Sequence, residues 1–139
     1  MIDDKILNKV WEKGLKDKRY DPDFVRKDAC GAWIIREKYD DRTSPFGWEV
    51  DHIYPESRLM ELGVPENLRN DIDNLRPLNW KNNVSKGADY PHYQSKLKAS
   101  IKKDNDGNEL DVNIICEDEK EINYETQKQI AELFKGYRL

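Results

Sequence analysis

The stretch from residue 47 to 87 constrains the fold more than any other part of the chain. It reads strand, long polar spacer, strand, short helix, with a stop at each junction. Residues 48–53 (Trp-Glu-Val-Asp-His-Ile) mix apolar and charged side chains as a half-buried strand does, and Pro55 ends them. Residues 75–78 make a second strand, whose Pro77 lacks a backbone donor and so suits a sheet edge. Residues 80–86 fit a brief helix closed by Gly87. Residues 57–73, with Gly63, Pro65 and several polar groups, are expected to form a long ordered loop. Such loops are uncommon in compact domains and often functional.

The flanks are mixed α and β. Ile2, Ile6, Leu7, Val10 and Trp11 recur at helical spacing behind Asp3 and Asp4, and Gly14 can end that helix. Asp21-Pro22 reads as a cap followed by a first-turn proline, opening a short helix through Phe24 and Val25. Residues 32–35 are apolar and partly β-branched, a strand pattern. Leu97, Ala99 and Ile101 alternate with polar residues, as do Leu110, Val112, Ile114 and Cys116. The turn-forming residues 104–108 between them predict a hairpin. Asn123 caps a last helix carrying Ile130, Leu133 and Phe134. No repeat divides the chain, and 139 residues suit one domain.

Charge is distributed unevenly. The net charge is −4, yet residues 76–103 carry seven basic side chains against one acidic, and residues 104–125 carry nine acidic against one basic. A local basic run matters more for binding a polyanion than the total does. It is expected to meet phosphate while the acidic stretch faces away; the plain alternative is a solvated strand face. Cys30 and Cys116 form no CxxC pair, which argues against a disulfide framework or zinc knuckle. No apolar run reaches membrane-spanning length and no secretory signal pattern opens the sequence, so a cytoplasmic setting with no membrane partner is expected.

The stretch Gly47-Trp-Glu-Val-Asp-His-Ile-Tyr-Pro-Glu-Ser57, followed by Asp73-Asn-Leu-Arg-Pro-Leu-Asn-Trp-Lys-Asn-Asn-Val-Ser-Lys-Gly87, resembles the HNH endonuclease motif. The resemblance covers about residues 30–91. Position by position, the first histidine falls on His52, the middle asparagine on Asn74 and the final motif position on Asn83. That last position is histidine in many members and asparagine in the HNH domains of RNA-guided CRISPR nucleases. Asp51 stands where those relatives place a metal-binding carboxylate, and Lys86 where the small helix meets phosphate. Where many members carry a Gly-Gly pair, this chain has Arg58-Leu-Met-Glu-Leu-Gly63. The zinc-binding CxxC pairs that brace some members are also missing, so packing must join the two ends.

The resemblance implies an α+β fold: a ββα-metal (His-Me finger) core flanked by an N-terminal helical segment and a C-terminal hairpin plus helix. It implies cleavage of phosphodiester bonds, DNA being the expected substrate, to give 5′-phosphate and 3′-hydroxyl ends. The residue types suit that chemistry. Mg²⁺ prefers oxygen ligands and keeps several waters, so the Asp51 carboxylate and the Asn83 amide oxygen make a credible open site; Mn²⁺ or another transition metal is the alternative. An imidazole titrates near enough to neutrality to take a proton from attacking water, which is the role expected of His52. Asn74 is expected to tie the ends of the loop together, and Arg76, Lys81 and Lys86 to contact nucleic acid. Neighbouring residues of a strand point to opposite faces, so Asp51 and His52 can share a site only if the strand ends there. Two other readings stand beside the enzyme: a catalytically silent nucleic-acid-binding module, and a protein-interaction module using the acidic segment.

Overall fold

A computed structural model describes residues 2–139 as a mixed α+β fold of small antiparallel sheets and five α-helices. Helix α1 (Asp4–Glu12) is capped by Asp3, whose carboxylate accepts from the Ile6 amide at 2.9 Å. Strands β1 (Val25–Lys27) and β2 (Trp33–Ile35) pair antiparallel. The helix expected after Asp21-Pro22 does not form. The Asp21 carboxylate caps the Asp23 amide while its carbonyl accepts from Phe24 and Val25, a tight turn that delivers the chain straight into β1.

Strands β3 (Trp48–His52) and β4 (Leu75–Asn79) form the central antiparallel pair, in a register that sets Glu49 opposite Leu78, Asp51 opposite Arg76 and His52 opposite Leu75. Leu75 and Leu78 belong to separate apolar clusters, as opposite pleat faces require. Leu75 packs with Trp48, Trp11, Val10 and Ile34; Leu78 packs with Ile53, Tyr54, Phe134 and Ile130. Helix α4 (Trp80–Lys86) follows β4 without a gap, capped by the Asn79 side chain on the Lys81 amide at 3.0 Å.

The segment expected to be a loop between β3 and β4 holds two short helices, α2 (Glu56–Glu61) and α3 (Glu66–Arg69), and a 3-10 turn over Ile72–Asn74. Each helix is too short to show an amphipathic period, and each starts directly after a proline, Pro55 or Pro65. Leu59 and Val64 anchor this segment in the core.

The hairpin β5 (His92–Lys103) and β6 (Glu109–Glu121) is longer than its apolar alternation suggested. Its base packs on α4, where buried Asn82 accepts the Lys96 and Leu97 amides and donates to the Leu97 carbonyl. Asn82 also donates to Asp28, a buried carboxylate that accepts the amides of Cys30, Ala32 and Asn79. Burial pushes the Asp28 carboxyl above its ordinary pKa, against these four donors. Helix α5 (Tyr124–Leu133), capped by Asn123, closes the second cluster through Ile130. Among the described residues no helix is long and apolar enough to cross a membrane.

Candidate active site

Gly47 sets the start of β3. A Cβ there would lie 1.9 Å from the Asp41 carbonyl oxygen, so only glycine lets the chain pass. The Gly47 carbonyl in turn accepts the Trp80 amide at 3.0 Å, joining the entry of β3 to the start of α4.

Asp51 is 3% exposed. Its two oxygens are taken by two cations: Arg76 Nε donates to Oδ2 at 2.8 Å, and Lys86 Nζ lies 3.2 Å from Oδ1. Cross-strand register delivers Arg76, and the end of α4 delivers Lys86. Lys86 is 1% exposed and also donates to the His52 carbonyl at 3.1 Å. Burial lowers the Lys86 pKa although Asp51 opposes the shift; for Arg76, burial works downward but Asp51 and Tyr93 together outweigh it and raise the value. Lys86 is buried away from the surface, where a phosphate contact would need it, and Arg76 is partly buried with its guanidinium committed to Asp51. The expectation for Lys86 is corrected by its burial against Asp51. Lys81 is partly exposed, its ammonium 5.4 Å from the Trp80 ring centre, with the Arg42 guanidinium 5.9 Å from the same ring.

Asn83 lies one turn before Lys86 on α4 and donates Nδ2 to Glu49 Oε1 at 2.9 Å. A carboxylate only accepts, so this contact turns the Asn83 oxygen away from Glu49. Arg42 holds the same carboxylate through two bonds of 2.7 and 3.0 Å. Burial pushes the Glu49 carboxyl up, but the bonds from Arg42 and Asn83 and the Arg42 charge outweigh it and hold the group below its ordinary pKa. Glu49 was missed in the sequence, although period-two alternation places it on the same face as Asp51.

His52 ends β3, and its side chain leaves Asp51 as the pleat demands. Its Nε2 lies 2.7 Å from Asn70 Oδ1 and 3.7 Å from Glu56 Oε2. Yet Asp51, His52 and Asn83 all border one cavity of about 230 Å³, with Glu56 at its rim. The strand stops at His52 and the chain turns into α2, which lets both neighbours reach one space. Asn74 is fully buried: its oxygen accepts the Tyr54 amide at 2.8 Å, and its nitrogen donates to the carbonyls of Tyr54 and Arg69 at 3.3 and 3.1 Å. It thereby joins both ends of the α2–α3 segment.

The basic run does not form a separate patch. Strand β5 carries most of it and lies hydrogen-bonded beside acidic β6, with Lys96 3.5 Å from Glu117 and Lys98 3.5 Å from Asp118. The expectation that the acidic stretch faces away fails because register makes the two strands neighbours. Lys102 and Lys103 are exposed near the hairpin tip, beside Asp104 and Glu109. His92 is exposed at the start of β5, and Cys30 and Cys116 are buried free thiols.

Among the described residues no group of three or more His, Cys, Asp or Glu side chains is gathered to hold a metal ion. The oxygen donors at the cavity include the carboxylates of Asp51 and Glu56 and the amide of Asn83. An ionised carboxylate offers about four lone-pair directions, and the two cations on Asp51 use only part of that capacity. The set fits a hard cation that keeps most of its water. Comparison with family models, with curated proteins and with solved structures finds no match to this chain.

Proposed function

We propose that this protein is a divalent-metal-dependent endonuclease that hydrolyses phosphodiester bonds of nucleic acid, with DNA as substrate. In this reading β3, β4 and α4 form a ββα-metal unit of the HNH kind. The observation that carries the reading is the convergence of Asp51, His52 and Asn83 on one cavity, although they come from a strand and a helix more than thirty positions apart in sequence.

Each residue has a task. His52 takes a proton from water at Nδ1, the ring nitrogen that no described protein group engages. Asp51 and Asn83 would hold the cation, Mg²⁺ by the hardness of their oxygens or Mn²⁺ as its substitute. When bound, that cation supplies neutralisation of the charge developing on phosphate and on the departing oxygen. Glu49 orients the Asn83 amide, and Arg76 with Lys86 holds the Asp51 carboxylate in place. Partly exposed Lys81 beside Trp80 is the cation placed to meet a phosphate backbone, while exposed Arg42 on the same ring is held by Glu49. The products are 5′-phosphate and 3′-hydroxyl ends.

The test is nicking of supercoiled plasmid with Mg²⁺, with Mn²⁺ and with chelator, by wild type and by His52→Ala. Metal-dependent nicking that disappears in the variant is expected. Equal nicking by both proteins would remove His52 from the mechanism, and none by wild type would remove the nuclease reading.

A second reading has one observation in its favour. Both oxygens of Asp51 are already ion-paired, which weakens its attraction for a cation and suits a nucleic-acid-binding module that does not cut. Duplex binding by wild type without nicking in either metal selects it.

A further inference from the structure

The α2–α3 segment makes a contact that the reading above does not need but that bears on its central residue. Asn70, the residue after α3, places its side-chain oxygen 2.7 Å from His52 Nε2 across eighteen positions of chain. A carbonyl oxygen can only accept, so Nε2 carries a proton, and in the neutral ring Nδ1 is then the nitrogen with the lone pair. Glu56 lies a full ångström farther from the same nitrogen, and its Oε2 is shared with Arg69 Nε at 3.2 Å.

The contact is braced on both sides. Buried Asn74 donates to the carbonyl of Arg69, the residue next to Asn70, and grips both backbone groups of Tyr54, two residues after His52. Arg69 adds a bond from Nη1 to the Val64 carbonyl at 2.8 Å. The middle asparagine of the motif thus fixes the two backbone points from which His52 and Asn70 approach each other. A ring held at one nitrogen by a braced acceptor cannot turn over about its Cβ–Cγ bond without breaking that bond.

We infer that Asn70 is a positioning residue for His52, and that Asn74 acts on the imidazole at one remove by holding Asn70 in reach. The inference rests on the nuclease reading for its catalytic meaning and on geometry alone for the contact. Asn70 is assigned no contact with substrate; its effect is to hold the His52 ring at Nε2 and leave Nδ1 unengaged by protein. A misplaced general base typically costs a large rate factor even when binding is intact.

The experiment pairs an NMR signature with cleavage. In ¹⁵N-labelled wild type the His52 Nε2 proton should be visible as a slowly exchanging resonance. Asn70→Ala should lose that resonance and roughly ten- to a hundredfold in nicking rate, with the metal concentration for half-maximal activity unchanged. Asn70→Asp, which keeps an acceptor of the same length, should retain the resonance and most of the rate. If Asn70→Ala does not fold, Asn70→Leu keeps the volume, removes the acceptor and carries the same expectation. Wild type that nicks DNA, together with an Asn70→Ala or Asn70→Leu protein whose resonance and rate are both unchanged, overturns the inference. Loss of rate in Asn70→Asp with the resonance intact also overturns it, because an acceptor would then not suffice. Wild type that shows the resonance but cuts nothing is instead a failure of the nuclease reading.

Discussion

Lys86 places its ammonium 3.2 Å from the Asp51 carboxylate at a point where both residues are almost wholly buried. Taking one partner from a buried ion pair leaves the other charge short of compensation, which costs more than the pair contributes as a whole.

Lys86→Met should therefore destabilise the protein by about 3 kcal/mol, the low end for such a loss because Arg76 remains on the other Asp51 oxygen. In thermal unfolding this is a fall of roughly 10 °C. A phosphate-binding lysine would behave differently. Its removal would leave the melting temperature alone and reduce the salt slope of duplex affinity by about one. Measuring both on the same variant decides between a buried counter-ion and a surface contact.

His52→Ala and Asn83→Ala should fail in different ways. The first removes the proposed general base and should lower the nicking rate by about 10²–10⁴ at any metal concentration. The second removes a proposed oxygen ligand and should raise the metal concentration needed, so that excess Mn²⁺ restores part of the rate. Metal titrations of both variants give the answer; coincident curves would mean that Asn83 is no ligand.

Glu49 links stability to pH. Its carboxyl titrates lower in the fold than the ordinary glutamate value of 4.5, so its contribution is complete above that value and is lost as pH falls through the lower, folded one. Glu49→Gln should consequently lower stability near neutrality and flatten the decline in acid. Denaturant melts of both proteins from neutral pH down to about pH 3 should converge at the acid end; parallel curves would show that Glu49 adds no pH dependence.

Gly47→Ala should cost at least about 2 kcal/mol, because a methyl group 1.9 Å from a backbone oxygen cannot be absorbed by a side-chain rotation. Gly136→Ala is the control: nothing lies within 4 Å of its added carbon, and its melting temperature should stay at the wild-type value.

Strands β2 to β4, α4, the hairpin and the last helix were legible because each rests on local signals, whether alternation, a cap, a proline stop or a glycine end; β1 was not, because Asp21-Pro22 carries the same signal for a turn as for a helix start. Residues 57–73 were not, because a helix of one or two turns shows no period to read. At the site, pairwise adjacency hid the outcome. Lys86 follows Asn83 by three positions and so shares its helix face, a relation that points inward, but a lysine is ordinarily read as solvated. Glu49 was readable from the alternation of β3, and only attention to the motif residues passed over it. Asn70 leaves no trace in the sequence, since its contact with His52 exists only after α2 and α3 have folded the chain back.

The side-by-side placement of β5 and β6 has a kinetic consequence. Lysines and carboxylates a few ångströms apart cancel within the roughly 8 Å over which salt leaves any charge visible. A hairpin built this way, on a molecule of net charge −4, offers a polyanion no separate basic face. The protein's encounters with DNA would run at the unsteered rate of about 10⁵–10⁶ M⁻¹s⁻¹ rather than the hundredfold or faster association that charge steering provides. Such a protein finds its target quickly only when something else raises the local concentration, and fusing it to a DNA-binding domain should accelerate cutting far more than adding lysines to its surface.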